Sequence, residues 1–360
     1  MIPAAKPLIG DDERAAVDRV LRSGMLAQGP EVSAFEEEFS KFVGGRHCVA
    51  MNSGTSALHL GFIAGGIKPG DEVIVPSFSF AATANSVVLA GGVPVFADID
   101  PKTFNIDPNH VEKLITKKTK AIMPVHLYGH IAPMNEINAI ATKHNLIVFE
   151  DAAQGHLASL DGKNSGEFSS VASFSFYPTK NMTSGEGGMC VTDSPDIARM
   201  LKLLRNQGQE IRYKNEVVGF NTRMTDIHAA IGRVQLAKLP GWTKKRQENA
   251  AFLSANLKNV VVPHVALGTT HSYHQYTILI PGKDANKRDE FIKRIGEKGV
   301  GSGVYYPTPI HRLPSFNLDI HLPFTEEIIT ECVSLPVYPT LTQDELNTIV
   351  SVVNEVAASL

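Results

Sequence analysis

Lys180 stands between an aromatic run and a glycine cluster, in Ser173-Phe174-Ser175-Phe176-Tyr177-Pro178-Thr179-Lys180-Asn181 followed by Gly185-Glu186-Gly187-Gly188. Well upstream, Asp151 closes the apolar run Leu146-Ile147-Val148-Phe149. A lysine amine forms an imine with an aldehyde, and an acid at a strand's carboxyl end can keep a pyridine nitrogen protonated. Together these are what pyridoxal 5′-phosphate (PLP) chemistry needs. An isolated lysine reads as a surface residue; the flexible glycines beside this one let backbone press close to a ligand.

Other segments carry weaker signals. Asn52-Ser53-Gly54-Thr55-Ser56-Ala57-Leu58 follows a short apolar run and opens a helix. Free N–H groups at a helix start, with glycine and hydroxyls, suit a phosphate, although a plain capping segment looks the same. Phe78 and Phe80 in Pro76-Ser77-Phe78-Ser79-Phe80 could stack on a flat heterocycle, yet by spacing alone both read as core. Glu150 and Asp151 could cap a helix, hold a metal or face a cofactor. His126 and His130 are four apart, but Gly129 and Pro133 argue against a helix there, so they read as a loop pair and no metal site is expected. The nucleotide motifs G-x-x-x-x-G-K-[ST] and G-x-G-x-x-G are missing, and glycine-rich 296–303 reads as a turn.

Elements that could position these residues alternate along the chain. Candidate strands are Glu72-Val73-Ile74-Val75, Val93-Pro94-Val95-Phe96-Ala97, Ala121-Ile122-Met123-Pro124-Val125 and Leu146-Ile147-Val148-Phe149. Helical patterns near 54–65, 79–90, 111–116 and 133–144 lie between them, after amphipathic helices over 11–22 and 31–42. Apolar runs without polar alternation predict a mainly parallel α/β sheet flanked by helices, whose ligands gather beyond the strands' carboxyl ends. A helix from about 224 to Leu239 is predicted to stop at Pro240-Gly241, with a connector helix over 243–258 after it. A strand over 271–280 and helices over 286–298 and 342–357 then suggest a smaller α+β unit. The predicted division is a large domain over 1–245 and a small C-terminal domain over 246–360.

The 360 residues, 43% hydrophobic and 20% charged, suit such a two-domain globular chain. A formal net charge of −3 gives no reason to expect nucleic acid or a membrane surface as partner. Cys48, Cys190 and Cys332 lack C-x-x-C spacing, which argues against a disulfide framework or zinc site. With no signal-like or spanning apolar stretch, the expected location is the cytoplasm.

Taken together, the ordered motifs resemble the DegT/DnrJ/StrS family of PLP-dependent sugar aminotransferases, of aspartate-aminotransferase-like (fold type I) architecture. The resemblance runs from Ser23-Gly24 and Gln28-Gly29-Pro30 through the segments above to Gly219-Phe220-Asn221-Thr222-Arg223-Met224 and Ser334-Leu335-Pro336. It implies Lys180 as the Schiff-base lysine, Asp151 at the pyridine nitrogen, Gln154 near the cofactor hydroxyl and Phe80 stacked on the ring. Gly54, Thr55 and Ser175 would bind the phosphate, and Asn221 would reach it from a neighbouring subunit, which implies a homodimer with shared sites. L-glutamate would be the amino donor and a nucleotide-linked keto-sugar the acceptor. Relatives that act as dehydratases carry histidine at the lysine position, so Lys180 favours amination over dehydration. A PLP-dependent sugar dehydratase, a cyclitol aminotransferase and a non-catalytic regulatory protein of the same fold are the competing expectations. One departure is Tyr305-Tyr306-Pro307, where many relatives have His-Tyr-Pro, and it bears on the substrate.

Overall fold

Apolar runs without polar alternation become the strands of a seven-stranded sheet covered on both faces. The computed structural model describes residues 1–282 and 284–360. The strands are β1 (His47–Met51), β2 (Glu72–Pro76), β3 (Val93–Ala97), β4 (Thr119–Ile122), β5 (Ile147–Asp151), β6 (Val171–Ser175) and β7 (Gly188–Thr192). Their spatial order is β1-β7-β6-β5-β4-β2-β3. All neighbours are parallel except β7, which runs antiparallel to β1 and β6. The expected mainly parallel α/β sheet is therefore present. The carboxyl ends of β1, β2, β5 and β6 and the start of β7 meet at one edge, because Asp151 pairs with Ser173 and Ser175 with Gly188.

Helices α1 (Asp11–Ser23), α2 (Pro30–Ser40), α3 (Gly54–Ala64), α4 (Ala82–Leu89), α5 (Pro108–Leu114), α6 (Met134–His144) and α7 (Pro195–Arg205) surround this sheet. Phe35 and Phe39 of α2 pack on Phe174 and Phe176, with ring centroids 5.0 to 6.1 Å apart within this group. Ile137 and Ala141 of α6 pack on Ile74, Ile122 and Val148. Each buried Phe, Ile or Val among these contributes on the order of 1.5–3 kcal/mol. The glycine at the start of α2 offers no capping side chain, and Asp226 supplies one from afar. Its Oδ1 accepts the N–H of Gly29 at 2.8 Å and of Val32 at 3.1 Å, pinning the loop before α2.

Two expected elements differ. The helical pattern does not stop at Pro240-Gly241: α8 (Asp226–Asn256) is one helix of 31 residues with Pro240 inside. A mid-helix proline costs about 3 kcal/mol. Packing on both sides offsets it, with Leu236 and Leu239 in the large-sheet core and Ala250 and Leu253 in a second core. The strand expected over 271–280 shrinks to β8 (Tyr276–Leu279), which pairs with β9 (Cys332–Leu335). Residues before it bond a turn instead, with Ser272 N–H on Gly129 O (2.9 Å) and Gln275 N–H on Tyr128 O (3.1 Å). The two-stranded sheet is covered by α9 (Ala285–Glu297) and α11 (Gln343–Ala357), after the short α10 (Pro323–Ile328). Thr342 and Glu345 form a reciprocal cap at the start of α11. The three cysteines are free and buried. Among the described residues, no helix is long and apolar enough to cross a membrane.

Candidate active site

Strand alternation decides which side chains reach the sheet edge. Glu150 and Asp151 are adjacent, so they point to opposite faces. Glu150 turns into the fold, where Oε2 meets His126 Nε2 at 2.8 Å and the Gly166 N–H at 2.8 Å, and Oε1 accepts the Ser169 hydroxyl at 2.7 Å. These partners hold its carboxyl below the usual range although burial alone would raise it. His126 is thus engaged with Glu150, and His130 lies beside Asn105, with Nδ1 3.2 Å from its Nδ2.

Asp151 faces the other way, into a cleft of about 560 Å³ lined also by Gly54, Thr55, Phe80, Gln154, Ser175, Tyr177, Lys180 and Tyr306. Seven of the expected site residues therefore meet in one place, at the edge where the strand ends converge. Asn221 is not among them: it is solvent-exposed, in a bridge with Asn206, outside this cleft. Phe78 and Phe80 part company because the chain bends after Pro76 rather than continuing as strand. Phe78 is buried among Ile99, Phe104 and Tyr128, while Phe80 keeps 57% exposure on the cleft wall.

Asp151 is 4% exposed, and its carboxylate is held at both oxygens. Thr83 donates its hydroxyl to Oδ2 at 2.8 Å, Ser79 lies 2.8 Å from the Thr83 oxygen, and Ala153 N–H reaches Oδ1 at 3.1 Å. Burial pushes the Asp151 carboxyl up, opposed by Thr83, Ala153 and the Lys180 amine. Burial brings Lys180 down to about 8, against the pull of Asp151. A substantial fraction of its amine is thus neutral near pH 8, as a nucleophile requires. The loop carrying Lys180 is anchored: Lys180 N–H bonds Tyr177 O at 2.9 Å, and Asn181 Nδ2 donates to Ser272 O at 3.1 Å. Behind it, burial lowers His156 to about 3 and Arg246 to about 10.

The opposite end of the cleft is a helix start. Ser53 Oγ accepts Ser56 N–H at 3.1 Å and Ser53 O accepts Ala57 N–H at 3.1 Å, leaving the N–H groups of Gly54 and Thr55 ahead of the first intrahelical bond. Only glycine fits at 54, since a Cβ there would lie 2.7 Å from Ser175 Cβ. At Gly188 a Cβ would come within 2.3 Å of Ser53 O, so the glycine cluster lets β7 close on the same loop. An anion-holding helix start, an aromatic wall, a lysine amine and a buried carboxylate in one cleft fit a PLP-sized aromatic phosphate.

Sequence reasoning missed Thr83, Ser79, Glu186 and His274 as members of this neighbourhood. Thr83 looks like any residue on the inner side of a helix, and His274 lay in a segment read as strand. Nothing local marks either one.

The geometry agrees with the comparisons to known proteins. The chain is 39% identical over 367 residues to GDP-perosamine synthase of Caulobacter vibrioides, covering 99% of this chain and 98% of that protein. It is 40% identical over 349 residues to a pleiotropic regulatory protein of Geobacillus stearothermophilus, covering 94% and 92%. Among solved structures, DesV of S. venezuelae, in complex with a ketimine intermediate, matches with a TM-score of 0.92 and 38% identity over 96% of this chain and 94% of that one. A family model matches residues 7–354, and the chain belongs to the DegT/DnrJ/EryC1/StrS aminotransferase family.

Proposed function

We propose that this protein moves an amino group from L-glutamate to a nucleotide-linked 3- or 4-keto hexose, using PLP held in the cleft described above. The observation that carries this reading is the joint presence of Lys180, brought down to about 8, and buried Asp151 in that one cleft. Bound PLP supplies a carbonyl that accepts an amino group and a ring that takes up the electron pair of a broken Cα–H bond. The N–H groups of Gly54 and Thr55, with the Thr55 and Ser175 hydroxyls, would hold its phosphate. Phe80 would stack on the ring and Gln154 would face its phenolic oxygen. Asp151, oriented by Thr83 and Ala153, would hold a proton at the ring nitrogen.

Lys180 Nζ has two tasks. It would hold the cofactor's carbonyl carbon in the resting enzyme and, once displaced by the donor amine, would carry the proton from the donor Cα to that carbon, and later one from that carbon to the sugar carbon that gains nitrogen. The apolar and aromatic lining, with Leu58, Tyr177, Tyr305 and Tyr306, keeps water from competing for that proton. The acceptor class rests on relatives named for GDP- and dTDP-linked sugars. Asn221 would complete the phosphate site from a second copy, so the working unit is a homodimer.

The test is a panel of nucleotide keto-sugars incubated with glutamate and PLP, read by mass spectrometry. Amino-sugar product and 2-oxoglutarate in equal amounts are expected. Release of 2-oxoglutarate with cyclitol ketones alone, or loss of the sugar hydroxyl without nitrogen gain, would replace this reading by a cyclitol aminotransferase or a dehydratase. A colourless protein that takes up no PLP would favour a regulatory role.

A further inference from the structure

Gln154 is 4% exposed, and its amide is fixed at both ends by groups from distant parts of the chain. Its Oε1 accepts the Tyr128 N–H at 2.8 Å, and its Nε2 donates to the Tyr306 hydroxyl at 3.1 Å. A backbone N–H can only donate, so the oxygen of the amide must face Tyr128. A flipped amide would set two donors against each other. Tyr128 is itself held firmly. It adopts φ 58°, a left-handed conformation unusual for a bulky side chain, its carbonyl accepts Gln275 N–H at 3.1 Å, and its hydroxyl donates to Tyr305 O.

With Oε1 fixed, Nε2 carries two hydrogens, of which one goes to Tyr306 and the second has no acceptor among the described residues, in a side chain that lines the cleft. Tyr306 comes from the other end of the chain, and its ring lies 5.7 Å from that of Phe80. Its hydroxyl accepts from Gln154, so its own proton is left to donate. Burial raises the phenol, which keeps that proton at working pH. Asp151 from β5, Lys180 and Glu186 from the loops before β7, His274, Tyr128 and Tyr305 are the titratable groups around this pair.

We propose that Tyr306 is a positioning residue: by accepting Gln154 Nε2–H opposite the Tyr128 N–H, it turns the free amide hydrogen toward the phenolic oxygen of bound PLP. This rests on the PLP reading above. It ties the cofactor's ionisation to segment 305–307, in which Tyr305 stands where many relatives carry histidine. Movement of that segment with substrate would then change how strongly the phenolic oxygen is held.

The test uses holoenzyme of the unaltered protein, Tyr306→Phe, Gln154→Ala and the double variant. Visible absorbance of the lysine-bound cofactor is titrated against pH, and PLP affinity is measured by fluorescence. A donor on the phenolic oxygen favours the form with an unprotonated lysine nitrogen, so losing it moves the transition to higher pH. Tyr306→Phe is expected to shift it upward by about half to one pH unit and to weaken PLP binding about fivefold, the scale of one hydrogen bond. In the Gln154→Ala background the same substitution should add nothing, because the effect travels through the amide. Far-UV circular dichroism establishes that each variant is folded. An unshifted titration in Tyr306→Phe, or equal effects in both backgrounds, overturns the proposal while leaving the PLP site standing. Absence of any visible band in the unaltered protein overturns the site itself.

Discussion

Replacing Thr83 by valine keeps shape and removes one hydroxyl, which makes it a clean probe of the buried acid. Thr83 is fully buried, and its hydroxyl lies 2.8 Å from Asp151 Oδ2. A hydrogen bond to a charged acceptor contributes about 1.5–3 kcal/mol, and a neutral one about 0.5–1.5 kcal/mol. The Ala153 N–H stays on the other oxygen, so the carboxylate keeps one partner. Burial already raises this carboxyl above its usual value of 3.8. Between 3.8 and its raised value the folded protein holds the proton that the unfolded chain has lost. The acid therefore costs stability as pH rises through that window, and the full cost is present above the raised value. Thr83→Val enlarges this cost. In the ligand-free protein it should destabilise by about 1.5–3 kcal/mol at a pH above the raised value, where the acid is ionised, and by about 0.5–1.5 kcal/mol at a pH below 3.8, where it is protonated in both states. Chemical denaturation at the two pH values measures the difference. In the holoenzyme, turnover should fall by up to about 100-fold if the whole bond is felt at the ring nitrogen. Equal stability of variant and parent at both pH values would refute the claim that Thr83 supports an ionised Asp151.

Asp151→Asn should lower turnover by orders of magnitude while PLP still binds, as steady-state rates and cofactor absorbance would establish. Lys180, with its amine near 8, should react with an amine-directed aryl sulfonate at a rate that rises through about pH 8, whereas ordinary lysines rise near 10.5. Its folded value lies below the unfolded one, so its burial cost is full below about 8 and is relieved toward 10.5; uniform labelling kinetics across all lysines would contradict this. Gly54→Ala keeps a helical backbone but sets a Cβ 2.7 Å from Ser175 Cβ, so PLP affinity should drop at least about tenfold by fluorescence titration, with unchanged affinity arguing against the phosphate cradle.

The strands and helices of the large sheet are legible because buried parallel strands leave unbroken apolar runs, as at Val73–Val75 and Val148–Phe149. Asp151 stands out as an acid at the end of such a run, and Lys180 because it lies between an aromatic run and a glycine cluster. The continuous α8 was not legible: local propensity ends a helix at Pro240, and only burial on both sides carries it through. The split between Phe78 and Phe80 was equally hidden, since it depends on a bend after Pro76 that spacing does not report. Thr83 and the Tyr128–Gln154–Tyr306 arrangement join residues far apart in the chain, so no window of sequence contains them.

Borohydride reduction of the PLP-loaded protein, followed by peptide mass spectrometry, asks where the cofactor is attached. A single phosphopyridoxyl group on Nζ of the residue between Thr179 and Asn181, absent after Lys180→Ala, is the predicted result. Label on other lysines, or undiminished amination by Lys180→Ala, would contradict the account.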